Sequence, residues 1–235
     1  MQHKLAPAKL TLSLRVAGVR ADGYHLLDAE MVTVDLSDTL RFYPGDGVVV
    51  TGPHAAGVPT GEENLVRRAL ASVGARARVE LHKAIPVGGG LGGGSADAAA
   101  VLRWAGCRDA ALAASLGSDV PFCLVGGRAR VGGAGEEVVP LPFRDAVFTL
   151  LTPPLRVPTA RVYAAWDELG GPTGPNGNDL EPAALVVEPG LAGWRQRLGE
   201  ATGCVPRLAG SGSTWFVEGA FPGVPGGVVV RAVAG

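Results

Sequence analysis

The stretch Lys83-Ala-Ile-Pro-Val-Gly-Gly-Gly-Leu-Gly-Gly-Gly-Ser-Ala-Asp97 places six glycines within seven positions. A backbone without Cβ atoms reaches φ > 0 and can turn successive N–H groups onto one anion. The Ala-rich segment that follows predicts a helix over Ser95–Trp104, with Ser95 as its N-cap. A helix start adds unpaired N–H groups and a positive dipole end, so Pro86–Ala96 predicts a phosphate loop. Ser95 and Asp97 add a hydroxyl for phosphate or Mg²⁺ and a carboxylate. A flexible linker would not run from an alternating strand straight into a helix. Gly88, Gly90 and Gly93 satisfy GxGxxG, a weak pattern alone. A dinucleotide fold wants an acidic residue ending the next strand, about 20 residues on; here Asp109–Leu116 reads as helix. A Walker A loop must end in Gly-Lys-Ser/Thr, and none is present. A nucleotide loop of another kind remains.

Three further places carry chemistry-bearing side chains. Lys9 stands at the start of a strand, where a lysine is either a solvated edge residue or a functional cation. Asp119, in Gly117-Ser-Asp-Val-Pro-Phe122, is either a turn or cap residue or a partly buried base. Tyr24 and His25 follow the turn Arg20-Ala-Asp-Gly23 and suit stacking on, and hydrogen bonding to, a heterocycle, or are ordinary strand residues. The four histidines, 3, 25, 54 and 82, do not pair at metal-ligand spacing.

The elements that must position these residues are readable from periodicity. Leu10, Leu12, Leu14 and Val16 alternate with polar residues, predicting a strand with one buried face. Ala29–Leu36 and Thr39–Tyr43 predict two strands joined through Ser37-Asp38. Asn64–Val73 predicts a short helix and Ala77–Ile85 a strand. Val120–Val125 and Arg128–Val131 predict short strands, or a buried turn with a strand. A composition shift at Pro140–Asp145 predicts a domain boundary, with lobes 1–143 and 144–235. Beyond it follow a strand at Val147–Leu151 and helices over Thr159–Leu169, Asn178–Val187 and Leu191–Thr202. A second glycine turn lies within Arg207–Val217, and Val228–Val233 is a last strand. Strands first and mixed elements later predict an α+β fold in two lobes.

With 21 basic and 22 acidic side chains the chain carries no basic field, which argues against nucleic-acid or membrane-surface binding. Cys107, Cys123 and Cys204 form no CxxC and read as reduced thiols of a cytoplasmic protein. No apolar run approaches the ~18–20 residues of a membrane span, and the first residues lack the core of a secretion signal.

Taken in order, these pieces resemble the GHMP kinase superfamily. The motifs are Ala6-Pro-Ala-Lys-Leu10, Arg20-Ala-Asp-Gly-Tyr-His25, Pro86–Ala98, Leu116–Phe122, Asn178-Asp-Leu-Glu181 and Ala209–Phe216. The resemblance implies an N-terminal lobe like ribosomal protein S5 domain 2 and a ferredoxin-like C-terminal lobe. It implies ATP and Mg²⁺, and transfer of a phosphoryl group to an alcohol. The Arg20–His25 segment points to 4-diphosphocytidyl-2-C-methyl-D-erythritol as substrate, in isoprenoid precursor synthesis; a monomer or weak homodimer is expected. Lys9 and Asp119 fall on the superfamily's catalytic pair: Asp119 as base, Lys9 stabilising developing charge. The resemblance further implies that Pro86, Val87, Gly88, Gly89, Gly90, Leu91, Gly92, Gly93, Gly94, Ser95 and Ala96 bind ATP, with Asn64 near the adenine and Ser95 near the metal. Thr11, Tyr24 and His25 would contact substrate. Thr11 stands where asparagine is usual, and the Trp104–Gly117 link and the C-terminal lobe are short. Two alternatives are a kinase of the homoserine or mevalonate type and a non-catalytic nucleotide-binding module.

Overall fold

The computed structural model describes residues 2–235 and opens on a long hairpin. Strand β1 (Gln2–Val19) pairs antiparallel with β2 (His25–Tyr43) through the turn at 20–24. Three register shifts interrupt the pairing, at Pro7/Lys9, Thr11/Ser13 and Val16/Gly18; such bulges bend a ribbon and re-aim its side chains. The predicted break at Ser37-Asp38 is absent, and β2 runs on as one strand. The Asp38 side chain does not close a turn but accepts from the backbone of Ala84 and Ile85. The expectation of one buried face on β1 also fails in its centre, where Ala8, Leu10, Lys9 and Thr11 are all buried.

Strand β3 (Gly47–Thr51) follows, unforeseen, then helix α1 (Leu65–Ser72) and strand β4 (Arg78–His82). Asn64 caps α1 by accepting from the Val66 N–H. Helix α2 (Gly93–Trp104) starts two residues earlier than predicted, with Gly92 at the cap position in the left-handed region. Ser95 is therefore not the N-cap but lies inside the first turn. Every residue from Ala96 to Leu102 is buried, which places α2 at the centre of the lobe. Helices α3 (Ala110–Leu116) and α4 (Val120–Val125) complete this layer. The helix at 120–125 stands where a short strand or a buried turn is predicted. A short apolar run has no diagnostic period, and Pro121 in the first turn suits a helix start. Strands β5 (Arg128–Gly132) and β6 (Glu137–Leu141) finish the first sheet, in the order β3-β4-β2-β5-β6 with β1 also on β2. Pro140 thus sits on an edge strand, where its missing N–H costs no ladder bond.

The second sheet has the order β10-β7-β9-β8. It comprises β7 (Val147–Leu151), β8 (Arg207–Leu208), β9 (Trp215–Glu218) and β10 (Gly227–Arg231). Helices α5 (Thr159–Glu168), α6 (Glu181–Val187) and α7 (Leu191–Thr202) lie between β7 and β8 in the chain. The fold is α+β, as the element order predicts. A separate apolar core joins the sheets: Leu10, Val32 and Val34 from the first meet Phe148, Phe216 and Val230 from the second. Val34 also bridges Ala232, so the sheets touch through backbone as well as side chains.

Candidate active site

Alternation along β1 separates two jobs. Ala8 and Leu10 enter the core between the sheets, and Lys9 and Thr11 line a cavity on the opposite face. The Lys9 ammonium donates to Thr11 Oγ1 at 3.1 Å and lies 3.3 Å from Asp119 Oδ2. Asp119 occupies the cap position of α4 without using its side chain to cap the helix. Its carboxylate is free to face Lys9 and is about one-third exposed. Residues 110 positions apart are thereby brought into one ion pair at the mouth of a cavity.

The glycine loop runs beside this pair. Lys9 N–H donates to the Leu91 carbonyl at 3.0 Å, and Thr214 N–H to that of Gly89 at 3.1 Å. Two glycines are required by close approach. Gly90 has φ +77°, and a Cβ there would lie 2.5 Å from the Ala209 carbonyl oxygen and 2.7 Å from that of Gly212. Gly92 has φ +68°, and a Cβ there would lie 2.7 Å from Lys9 Cγ. The first glycine turn is thus packed against the second and against the lysine. Residues 86–95 line a cavity of about 350 Å³, together with Asn64, Lys83 and Asp97. Ala96 is fully buried in α2 and does not line it. Asn64 is buried too, its amide donating to the Pro59 carbonyl at 2.6 Å.

A second cavity, of about 770 Å³, meets the first at Gly90 and Gly92. Lys9, Thr11 and Asp119 stand where the two join, and Tyr24 and His25 line the same cavity. His25 Nε2 is 2.9 Å from Asp167 Oδ1, and its ring lies 4.6 Å from that of Tyr163. Tyr24 is 61 % exposed and offers an open ring face. Burial pushes the Tyr163 phenol above its ordinary pKa, with the Asp119 charge adding to the shift. Tyr163 and Asp167 carry no sequence signal beyond their helix; only the docking of α5 onto the hairpin brings them to His25.

Two polar clusters support the cavities through contacts that the sequence does not show, although Asp97 and the Asn178–Glu181 motif are visible in it. Lys83, buried, pairs with Asp38 and with Asp97, the latter at 2.7 Å. Burial pushes the Asp97 carboxyl up to about 8, against the partial opposition of Lys83. Burial alone would lower Lys83, but the charges of Asp97 and then Asp38 outweigh it and hold the ammonium above its ordinary pKa. The second cluster is the Asn178–Glu181 element. Buried Asn178 donates to the carbonyls of Leu208 and Gly210 at 2.8 and 2.7 Å. Asp179 accepts from Arg15, Val16 N–H and Gly174 N–H. This element ties the second glycine turn to β1.

Comparison with known proteins gives this geometry its family. Residues 64–127 match the GHMP kinases N terminal domain. A 4-diphosphocytidyl-2-C-methyl-D-erythritol kinase from Cereibacter sphaeroides is 39 % identical, over 92 % of this chain and 88 % of its own. One from Nitrosomonas europaea is 36 % identical, over 97 % and 96 %. A crystal structure of 4-(cytidine 5'-diphospho)-2C-methyl-D-erythritol kinase superposes with a TM-score of 0.77 at 32 % identity, covering all of both chains. The chain belongs to the 4-diphosphocytidyl-2-C-methyl-D-erythritol kinase family. A homoserine kinase from Cytophaga hutchinsonii, at 21 % identity and a TM-score of 0.58, shares the fold. Among the described residues no helix is long and apolar enough to cross a membrane.

Proposed function

We propose that this chain uses ATP to phosphorylate the 2-hydroxyl of 4-diphosphocytidyl-2-C-methyl-D-erythritol, in isoprenoid precursor synthesis. The observation that carries it is the Lys9–Asp119 pair at the junction of the glycine-loop cavity and the cavity holding Tyr24 and His25. ATP occupies the loop cavity, its phosphates on N–H groups of 87–95 and its base toward Asn64. The cytidine end of the alcohol lies against Tyr24 and His25. Asp119 takes the hydroxyl proton as the new O–P bond forms and the bond between the β- and γ-phosphates breaks, releasing ADP. Lys9 orients the carboxylate and stabilises the charge developing on the oxygen. Thr11 Oγ1 accepts from the lysine ammonium, and its own O–H is left to contact substrate in the cavity it lines.

Among the described residues no three His, Cys, Asp or Glu side chains are grouped to hold a metal. Mg²⁺ keeps waters and rides on substrate phosphates with one or two protein ligands. The Ser95 hydroxyl, on the loop cavity, would be one such ligand, and the ion would neutralise phosphate charge. We further propose that the lobes are 1–143 and 144–235, that the protein is cytoplasmic, and that it works as a monomer or weak homodimer without nucleic acid. ADP release should require both Mg²⁺ and the diphosphocytidyl alcohol. Turnover of homoserine or mevalonate alone, in a panel with labelled ATP, would overturn the substrate assignment.

A further inference from the structure

We propose that Lys83, Asp38 and Asp97 form a positioning cluster that clamps the two ends of the glycine loop and preorganises it for ATP. None of the three is a catalytic residue. The inference rests on the proposed ATP reading of the loop cavity.

The cluster joins three elements at one point. Asp38 comes from the middle of β2, Lys83 from the residue after β4, and Asp97 from the second turn of α2. Lys83 donates to both carboxylates, and all three side chains are almost fully buried. Asp38 Oδ1 also accepts from the N–H groups of Ala84 and Ile85, at 2.6 and 2.8 Å. The strand-side end of the loop is thus held by Asp38 and the helix-side end by Asp97, with one ammonium between them. Contact at that point is tight: a Cβ on Gly93 would lie 3.2 Å from Lys83 Nζ and 3.1 Å from Ile85 Cγ2.

Charge decides between two roles for the lysine. A free cation under a phosphate loop would do the work of the missing Walker lysine. Here the ammonium is paired with Asp38 and bonded to Asp97, so no net positive charge is left to offer a phosphate. Buried ionic groups are poor sources of stability, since an apolar set of equal volume is often as stable. What the cluster does supply is geometry. Between the clamps, Pro86–Gly92 contains four glycines, the residues that lose most freedom on ordering. Fixing both ends lowers the entropy that ATP binding must overcome. Among the described residues Asp97 Oδ1 has no hydrogen-bond partner, and the bond from Lys83 to Oδ2 ties the helix to the strand side.

The test compares Asp97→Ala with Asp97→Asn in the full chain. Asp97→Ala cuts the helix-side tie but leaves Lys83 and Asp38 as a balanced pair, and alanine favours the helix. Asp97→Asn keeps a side-chain acceptor for Lys83. In the ligand-free protein, amide exchange within 86–92 should accelerate at least tenfold in Asp97→Ala and stay within threefold of wild type in Asp97→Asn. The KM for ATP should rise at least tenfold in Asp97→Ala only, and that for the alcohol should stay within twofold in both. Unchanged loop exchange in Asp97→Ala, or equal impairment of the two variants, would overturn the cluster's role. If the exchange contrast holds but the wild-type protein neither binds nor turns over ATP, the nucleotide assignment fails and the clamp stands.

Discussion

At the residue scale, the duties proposed for Asp119 and Lys9 are separable. Asp119→Asn keeps shape and removes the base, so kcat should fall about 10²–10⁴-fold while ATP binding, read by calorimetry, changes little. Near-wild-type turnover would remove Asp119 from the role of base. Asp97 gives a prediction in pH. Its carboxyl titrates near 8 in the folded protein against an ordinary 3.8. Below the lower value both the folded and the unfolded chain hold the proton, and stability is unaffected. Between the two values only the folded chain holds it, unfolding releases it, and stability falls as pH rises. Lys83 stays charged throughout this window, because its shift is upward. Denaturant unfolding from pH 4 to 8 should therefore show a downward slope that Asp97→Asn flattens. An unchanged slope in that variant would assign the dependence to other groups.

At the element scale, the glycine turns are the sharpest constraint. Gly90→Ala puts a methyl against two backbone carbonyls at φ +77°, and neither carbonyl is the end of a flexible side chain. ATP affinity should fall at least tenfold even where the protein still folds, as circular dichroism would show. Asn64→Ala tests a milder device. Loss of the α1 cap should cost about 1 kcal/mol, a drop in Tm of about 2–4 °C, and an increase in KM for ATP would show that Asn64 also faces the nucleotide.

Elements also show what a single chain of letters can reveal. The glycine loop, the helix after it and the strand bearing Lys9 were legible because each has a local period or composition. Ser37-Asp38 was misread because a turn and a buried acceptor use the same residue types; only the distant Lys83 distinguishes them. Val120–Val125 was misread because six apolar residues bury equally well as strand or helix. Tyr163 and Asp167 were illegible as site residues because their meeting with His25 depends on how α5 docks on the hairpin.

For the whole molecule, the decisive feature is the apolar core between the two sheets, since it holds the hairpin against the half of the molecule that brings α5 and the turn at Gly210-Ser211 to the larger cavity. Phe216 is fully buried there, 6.1 Å from Phe148 in an edge-to-face pair. Phe216→Ala should cost about 3–5 kcal/mol, and should weaken binding of the diphosphocytidyl alcohol as the walls lose register. A calorimetric scan that still shows one sharp transition at the wild-type temperature would contradict this.

The opening hairpin has one more consequence. Lys9 lies in its middle and Tyr24 and His25 at its tip, on a single bulged ribbon with no joint between them. If the proposed site is right, the span from Lys9 to the tip acts as a ruler, built into covalent chain and cross-strand bonds. Selection follows length as well as chemistry. A cytidine ester one phosphate shorter would seat its base at the tip and leave its hydroxyl short of Asp119, acting as an inhibitor where the longer molecule is a substrate.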